Sequence, residues 1–291
     1  MTRSTPLAGP TTSVIVAAFN QPHELALVLA ALAAQTDSSF DVIVADDGSK
    51  PPASASIEPL REELPFEIQC VWHEDAGFRK ARALNCAVHH TDAELLIFLD
   101  GDCLPFRDLV ATYRQYYTPG DFLVGAVAFA DAGSSRRLTP EDARRGLHER
   151  AVSLRERRRL LSIHLRNLLH RGRKQTRPRI RGGNFAVSSA LFRHIDGFDE
   201  AYCGYGKEDP DLRNRMRNAG ALGESLWLRA WAVHLERSVA PSGSRAAPPP
   251  ELYNEGRRLV RARKGLSTHG GESPSPEQRG GSAQAPDPRK L

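Results

Sequence analysis

Two short acidic turns are the parts of this sequence best equipped for chemistry. Asp46-Asp47-Gly48-Ser49 follows the apolar run 41–45, and Asp100-Gly101-Asp102 follows the run 94–99. Two carboxylates one residue apart both reach a divalent cation when a glycine lets the backbone turn sharply between them. Hard oxygen ligands suit Mg2+ or Mn2+, and such ions usually keep positions open for substrate phosphates. Asp-Gly pairs are equally common in solvated turns. What singles these two out is the apolar strand that precedes each. A third acidic pair, Glu208-Asp209, stands before Pro210-Asp211-Leu212. From its residues alone it reads as an N-cap at Asp209 with proline at the first helical position. His234 ends the apolar stretch 227–235, where a lone histidine is often a satisfied core residue.

The elements around these residues alternate. Strands are expected over 13–19, 41–45, 67–72, 94–99, 121–129 and 227–235. Helices are expected over 24–34, near 57–63, and over 79–90 and 210–218. β-branched runs of four to eight residues alternating with helical periodicity indicate right-handed βαβ units and a largely parallel sheet. Ligands of such sheets sit beyond the carboxyl ends of the strands, and both acidic turns fall at that edge. At 291 residues, 40% hydrophobic and 26% charged, the chain has globular composition, which excludes a disordered, collagenous or coiled-coil rod. No apolar run reaches the length of a membrane span, and residues 1–10 lack the apolar core of a secretory signal. Cys70, Cys86, Cys103 and Cys203 form no CxxC pair, against a zinc knuckle or disulfide framework. The expectation is a soluble protein of a reducing cytoplasm.

The motifs, taken in order, resemble a known family. Residues 13–20 (SVIVAAFN), 44–49 (VADDGS) and 98–102 (FLDGD) resemble the inverting glycosyltransferases of family 2, with the GT-A fold. Residues 182–186 (GGNFA), 197–200 (GFDE) and 204–209 (GYGKED) are similar to the acceptor-side half of galactosyltransferase-type enzymes. The resemblance covers about 12–237 and implies an α/β architecture with a Rossmann-like nucleotide-binding half (12–103) fused to an acceptor half (182–237). It implies that Asp47 binds the uracil ring with Asp46 beside it, and that the backbone of Ala17 and Ala18 lies along the base. Asp100 is then a ribose or metal contact, and Asp102 and His234 are metal ligands. Arg79 and Asn85 reach the donor, Gly183 and Asn184 approach the sugar, Asp209 is the base, and Glu208 lies beside it. The partners implied are a nucleotide-sugar donor, most simply UDP-linked, and a carbohydrate or lipid-linked acceptor, with Mn2+ or Mg2+ as cofactor. A retaining transferase on the same fold, and a non-catalytic basic binding module, are the alternatives. Trp227, Trp231, Cys103 and Cys203 read as packing residues.

Between 136 and 181 the chain carries sixteen Arg/Lys against four Asp/Glu. Leu154, Leu161, Leu165 and Leu168 recur there at helical spacing among arginines, a basic amphipathic helix. Either this block touches an anionic membrane surface, or its leucines pack on the catalytic domain. Nucleic acid is disfavoured, because the block has almost no aromatic residues for base stacking. From residue 238 the chain turns rich in Pro, Gly and Ser. Disorder is expected after about Gly265, with one short basic helix within 251–264.

Overall fold

A computed structural model gives the fold and describes residues 9–130, 132–169, 177–180, 182–204, 206–235 and 249–269. Residues 170–176 and 181 of the basic block, Tyr205, and the tail stretches 236–248 and 270–291 lie outside the described residues. The first apolar run forms β1 (Thr12–Ala18), with Val14, Ile15 and Val16 fully buried. A β-branched strand buried on both faces belongs in the middle of a parallel sheet. β1 indeed lies between β2 (Asp41–Asp46) and β4 (Leu95–Asp100), parallel to both, with β3 (Ile68–Trp72) beyond β2. On the other side come the antiparallel β8 (Asn184–Ser188), then β6 (Phe122–Val124) and β9 (Gly223–Ser225), in the order β3-β2-β1-β4-β8-β6-β9. Helix Pro22–Ala33 packs on the sheet face presented by Val14 and Val16, and helix Lys80–Val88 covers the face of Ile15.

Register brings the acidic turns together. Ala18 pairs with Asp46 on one side of β1, and Ala17 pairs with Asp100 on the other. The carboxyl end of β1 therefore separates the two turns by one strand width on each side, the place where open α/β sheets bind ligands.

A second sheet carries the far wall. β5 (Cys103–Pro105) and β7 (Ala126–Phe129) flank β10 (Trp231–His234). The expected single strand over 121–129 is thus two strands in different sheets. Gly125 is the crossing point: an added Cβ would collide with the Asn184 amide and the Tyr113 hydroxyl and lie 2.7 Å from the Ala230 carbonyl. The expected strand over 227–235 shortens to β10, and Trp227 is a core side chain outside it.

Three further expectations change on the acceptor side. The last large helix runs Glu208–Asn218, with Lys207 in the left-handed conformation (φ 78°) at its N-cap. Asp209 is therefore a first-turn residue and caps nothing. Its helix is anchored by a buried Asp211–Arg215 pair at 2.7 Å, with the Arg215 guanidinium also donating to the Ile195 and Gly197 carbonyls. Removing one partner of such a buried pair costs about 3–5 kcal/mol. The chain beyond Gly265 is ordered as far as His269: Leu266 and His269 are buried, and the Leu266 amide donates to the Asp196 carbonyl. The helix expected within 251–264 runs Pro250–Gly256 and is not basic: it carries Glu251 and Glu255, and the arginines from Arg257 on lie beyond it. Arg263 holds this segment to Asp199 at 3.1 Å.

The basic helix runs Leu154–Leu169. It packs on the body through Leu160, Ile163 and Asn167, while Leu154, Leu161, Leu165 and Leu168 are exposed. The leucines expected to pack on the catalytic domain thus do not. No helix among the described residues is long and apolar enough to cross a membrane.

Candidate active site

The two β1 carbonyls build the site's frame. Ala17 O accepts from Gly101 N at 2.7 Å, and Ala18 O accepts from Asp47 N at 2.9 Å. Both expected base-lining residues therefore hold the acidic turns in place through their carbonyls. Asp46 is fully buried and spent on its own loop: Oδ1 accepts from Ser49 N and Oγ, and Oδ2 from Ala53 N at 2.7 Å. It shapes the turn, so the expected nucleoside contact from Asp46 is corrected to a scaffold role.

Asp47, the second carboxylate of the turn, is also buried. Its Oδ2 accepts from Arg79 N at 2.8 Å, and His73 Nε2 stands 3.3 Å from Oδ1. Burial pushes its carboxyl up to about 7, partly offset by the Arg79 amide and charge. Burial likewise depresses His73, helped by the charges of Arg79 and Arg82. The Arg79 guanidinium donates to the Glu74 carbonyl and meets His73 Nδ1 at 3.2 Å. Arg79 thus borders the Asp47–His73 pair through both its amide and its guanidinium.

Two expected donor contacts belong to the core. Asn85 is fully buried and clamps the acceptor-side turn, donating to Phe198 O and Glu200 Oε1 and accepting from Phe198 N. Asn184 is also fully buried: it accepts from Tyr113 Oη at 2.7 Å and donates to the Ala126 and Ala230 carbonyls. Each amide has its polar atoms committed inside the protein, as buried amides must. Neither is available to a sugar.

Asp100 and Asp102 face different partners. Asp100 forms an ion pair with Lys80, the first residue of helix Lys80–Val88. Asp102 turns to the second sheet, where Leu235 N donates to its carbonyl at 2.9 Å and His234 Nε2 lies 3.7 Å from Oδ1. The register that pairs His234 with Cys103 across β10 and β5 sets this approach. His234 Nδ1 lies 2.7 Å from the Leu235 carbonyl. A carbonyl only accepts, so Nδ1 carries a proton, and Nε2 is the ring nitrogen on the Asp102 side, placed to ligate a metal. Ligand atoms of Asp102, Cys103 and His234 all lie within 4.8 Å of one another. This donor set fits a divalent cation, and Asp100 falls outside it. Cys103, expected only to pack, turns its sulfur into this group, 3.8 Å from Asp102 Oδ1. Cys203, also expected to pack, is exposed.

Asp209, in the first turn of helix Glu208–Asn218, meets Lys80 and Asp100 at Gly182. The Gly182 N–H donates to Asp209 Oδ2 at 2.7 Å. A Cβ built on Gly182 would lie 3.0 Å from Asp209 Oδ2, 3.0 Å from Lys80 Nζ and 3.3 Å from Asp100 Oδ2. One point thus sees a carboxylate from each half with an ammonium between them. Gly183 is required by contact as well, since a Cβ there would strike Cys103 Sγ and stand 3.4 Å from Asp100 Oδ2. Glu208 is buried with Oε2 lacking a hydrogen-bond partner among the described residues. Burial, with Asp209 adjacent, raises Glu208 to about 7, and burial raises Asp209 as well, against the pull of Lys80. Burial pulls Lys80 down, but the carboxylates of Asp100, Asp209 and Glu208 outweigh it and hold the ammonium charged.

The comparisons decide the family. The model for glycosyl transferase family 2 matches residues 13–193. The chain belongs to that family. A second model, described as the N-terminal domain of galactosyltransferase, matches residues 164–229, so the glycosyltransferase pattern continues through Asp209 and its helix. Among curated relatives, hyaluronan synthase of Pasteurella multocida is 36% identical over 133 residues, 45% of this chain and 13% of the synthase. The succinoglycan biosynthesis protein ExoM of Rhizobium meliloti is 38% identical over 90 residues, 30% of this chain and 28% of ExoM. The chain spans less than a third of the length of either relative. Two solved glycosyltransferase structures share its GT-A fold. Staphylococcus aureus TarS 1–349 with UDP-GlcNAc gives a TM-score of 0.57 at 19% identity, covering 89% of this chain and 69% of TarS 1–349. The mannosyltransferase PcManGT of Pyrobaculum calidifontis, solved with GDP-Man and Mn2+, gives 0.56 at 17% identity, covering 88% and 71%.

Lys80 and His73 were not among the expected site residues of this family 2 enzyme. Lys80 had a signal, standing beside Arg79 at the start of the helix expected over 79–90. His73 had none, because its meeting with Asp47 depends on the path of the loop after β3.

Proposed function

We propose that this chain is an inverting glycosyltransferase that moves a sugar from a nucleotide donor, UDP-linked, onto the hydroxyl of a carbohydrate or lipid-linked acceptor. The setting is synthesis of polysaccharide, glycolipid or glycoconjugate in the cytoplasm, where its four free cysteines are at home. The observation that carries the reading is the convergence of Asp100, Lys80 and Asp209 on Gly182. It supports a single cleft in which a donor held by the first half faces a base held by the second.

In this reading Asp47 accepts the N–H of the nucleobase through its carboxyl. Asp209 takes the proton of the acceptor hydroxyl as its oxygen bonds to the anomeric carbon. The bond from that carbon to the diphosphate breaks on the opposite face, so configuration inverts and no covalent enzyme intermediate forms. Asp102 and His234 would hold Mn2+ or Mg2+, whose charge stabilises the departing diphosphate. Lys80 eases the repulsion between Asp100 and Asp209 and draws Asp209 back toward ionisation. The raised carboxyl of Asp209 is a stronger base than an ordinary aspartate. The open Oε2 of Glu208, raised to about 7, favours a second assignment in which Glu208 is the base and Asp209 its positioning neighbour.

The test is diphosphate release from a panel of nucleotide sugars with Mn2+, Mg2+ or chelator, with the product anomer read by NMR. UDP release that needs the cation and an inverted anomer is expected. Release with retention refutes inversion, and turnover unchanged by chelator refutes the cation.

A further inference from the structure

Helix Leu154–Leu169 is amphipathic in an unusual sense, with an apolar stripe on each side. One stripe, Leu160 and Ile163, packs on the protein with Asn167. The other, Leu154, Leu161, Leu165, Leu168 and Leu169, points to solvent and is 43–70% exposed. These positions share one face by the helical period. Arg155, Arg158 and Arg166, all exposed, flank or interrupt them. The helix's single acid, Glu156, turns away to the Phe129 amide at 3.1 Å and to Arg159. The outward face is therefore leucine and arginine with no carboxylate from its own helix.

Contiguous apolar surface rimmed by polar groups marks an interaction site, and the charge identifies the partner. A second copy meeting this face would bring arginine against arginine. An anionic lipid surface complements both parts, taking the leucines at the acyl boundary and the arginines at the headgroups. We propose that this helix docks the enzyme on an anionic membrane. Its place in the fold gives the docking a use. Glu156 ties it to Phe129, whose ring centroid lies 5.3 Å from that of His234. The docking face thus borders the cation edge of the cleft. Resting on the function proposed above, this favours an acceptor carried on a lipid in the same membrane.

The test uses the full chain with vesicles of phosphatidylcholine alone, or with about a quarter phosphatidylglycerol, in a sedimentation assay at low and high salt. Wild type should bind the anionic vesicles and release at high salt. An Arg155→Gln/Arg158→Gln/Arg166→Gln variant should bind at least about tenfold more weakly, since each arginine near such a surface contributes about fivefold. A Leu161→Ser/Leu165→Ser variant should lose at least about tenfold too. Donor turnover with a water-soluble acceptor is measured alongside and should be unchanged in both variants. Docking with no turnover in any protein refutes the catalytic reading and leaves the docking standing. Equal binding to neutral vesicles, or leucine variants that bind like wild type, overturns the docking. So does a concentration-dependent dimer that Leu161→Ser/Leu165→Ser dissolves, because a second copy then covers the face.

Discussion

Replacing Asp47 with asparagine should stabilise the protein and cripple donor binding together, and the structure gives the size of both effects. Burial raises the Asp47 carboxyl from 3.8 to about 7. Between those pH values the native state keeps a proton that the unfolded chain has released. Stability therefore falls as pH rises through that window. About three units at 1.36 kcal/mol each makes the full loss up to about 4 kcal/mol above pH 7. Asparagine is similar in shape, retains an acceptor for the Arg79 amide and cannot ionise. Near pH 4 the variant and wild type should be equally stable. At pH 8 the variant should lead by up to about 4 kcal/mol, or up to about 10 °C in Tm for a domain of this size. Glu208 and Asp209 are also raised, so a residual pH slope should persist in the variant. A charged acceptor of a hydrogen bond is worth about 1.5–3 kcal/mol, so donor KM should rise about 10- to 150-fold with kcat less affected. Urea melts across pH and steady-state kinetics read both effects. A variant that is less stable at pH 8, or that keeps the wild-type slope, refutes the burial argument. An unchanged KM refutes the nucleobase role.

Asp209→Asn should lower kcat about 10²- to 10⁴-fold without loss of Tm, whereas Glu208→Gln should cost under about tenfold; the reverse order transfers the base to Glu208. Lys80→Met should leave three carboxylates facing one another, destabilising by about 3–5 kcal/mol. Urea melts should show a larger cost at pH 8 than at pH 5, where the carboxyls protonate, and the acid limb of the activity profile should move to higher pH because Lys80 lowers both Glu208 and Asp209. Gly183→Ala should cost about 1–3 kcal/mol through its clash with Cys103. Adding Cys103→Ala should return part of that in a double-mutant cycle, and additive costs would refute the contact.

The parallel half of the fold was legible because its strands are short β-branched runs and its functional turns punctuate them. Residues 13–19, 41–45 and 94–99 had no competing period, and the Asp turns mark where each strand stops. What stayed hidden was direction. Asn85 and Asn184 sit beside motif residues in the chain, yet their amides turn inward to satisfy carbonyls that only the folded sheet brings within reach. The basic helix contains two apolar stripes, Leu160/Ile163 and the outer leucines. Periodicity alone could not say which one the body would claim. Residues 262–269 lacked any strong pattern, and their order comes from Asp196, Asp199 and Glu200, distant in sequence, accepting their amides and side chains.

The Asp100-Gly101-Asp102 turn then takes on a meaning its spacing did not show. Two carboxylates so close in sequence read as a pincer for one cation. In the fold the Gly101 amide is held by Ala17, and the chain turns so that the acids part company. Asp100 goes to Lys80 and, through Gly182, to the acceptor half, while Asp102 goes to His234 in the second sheet. An unscreened Asp100 this near Asp209 would raise the proton affinity of the proposed base, because one negative charge disfavours another beside it. Lys80 removes that conflict by pairing with Asp100 while drawing Asp209 back toward ionisation. The lysine is thus the element that lets donor-side and acceptor-side carboxylates share one cleft, and its loss should be felt at Asp209 as much as at Asp100.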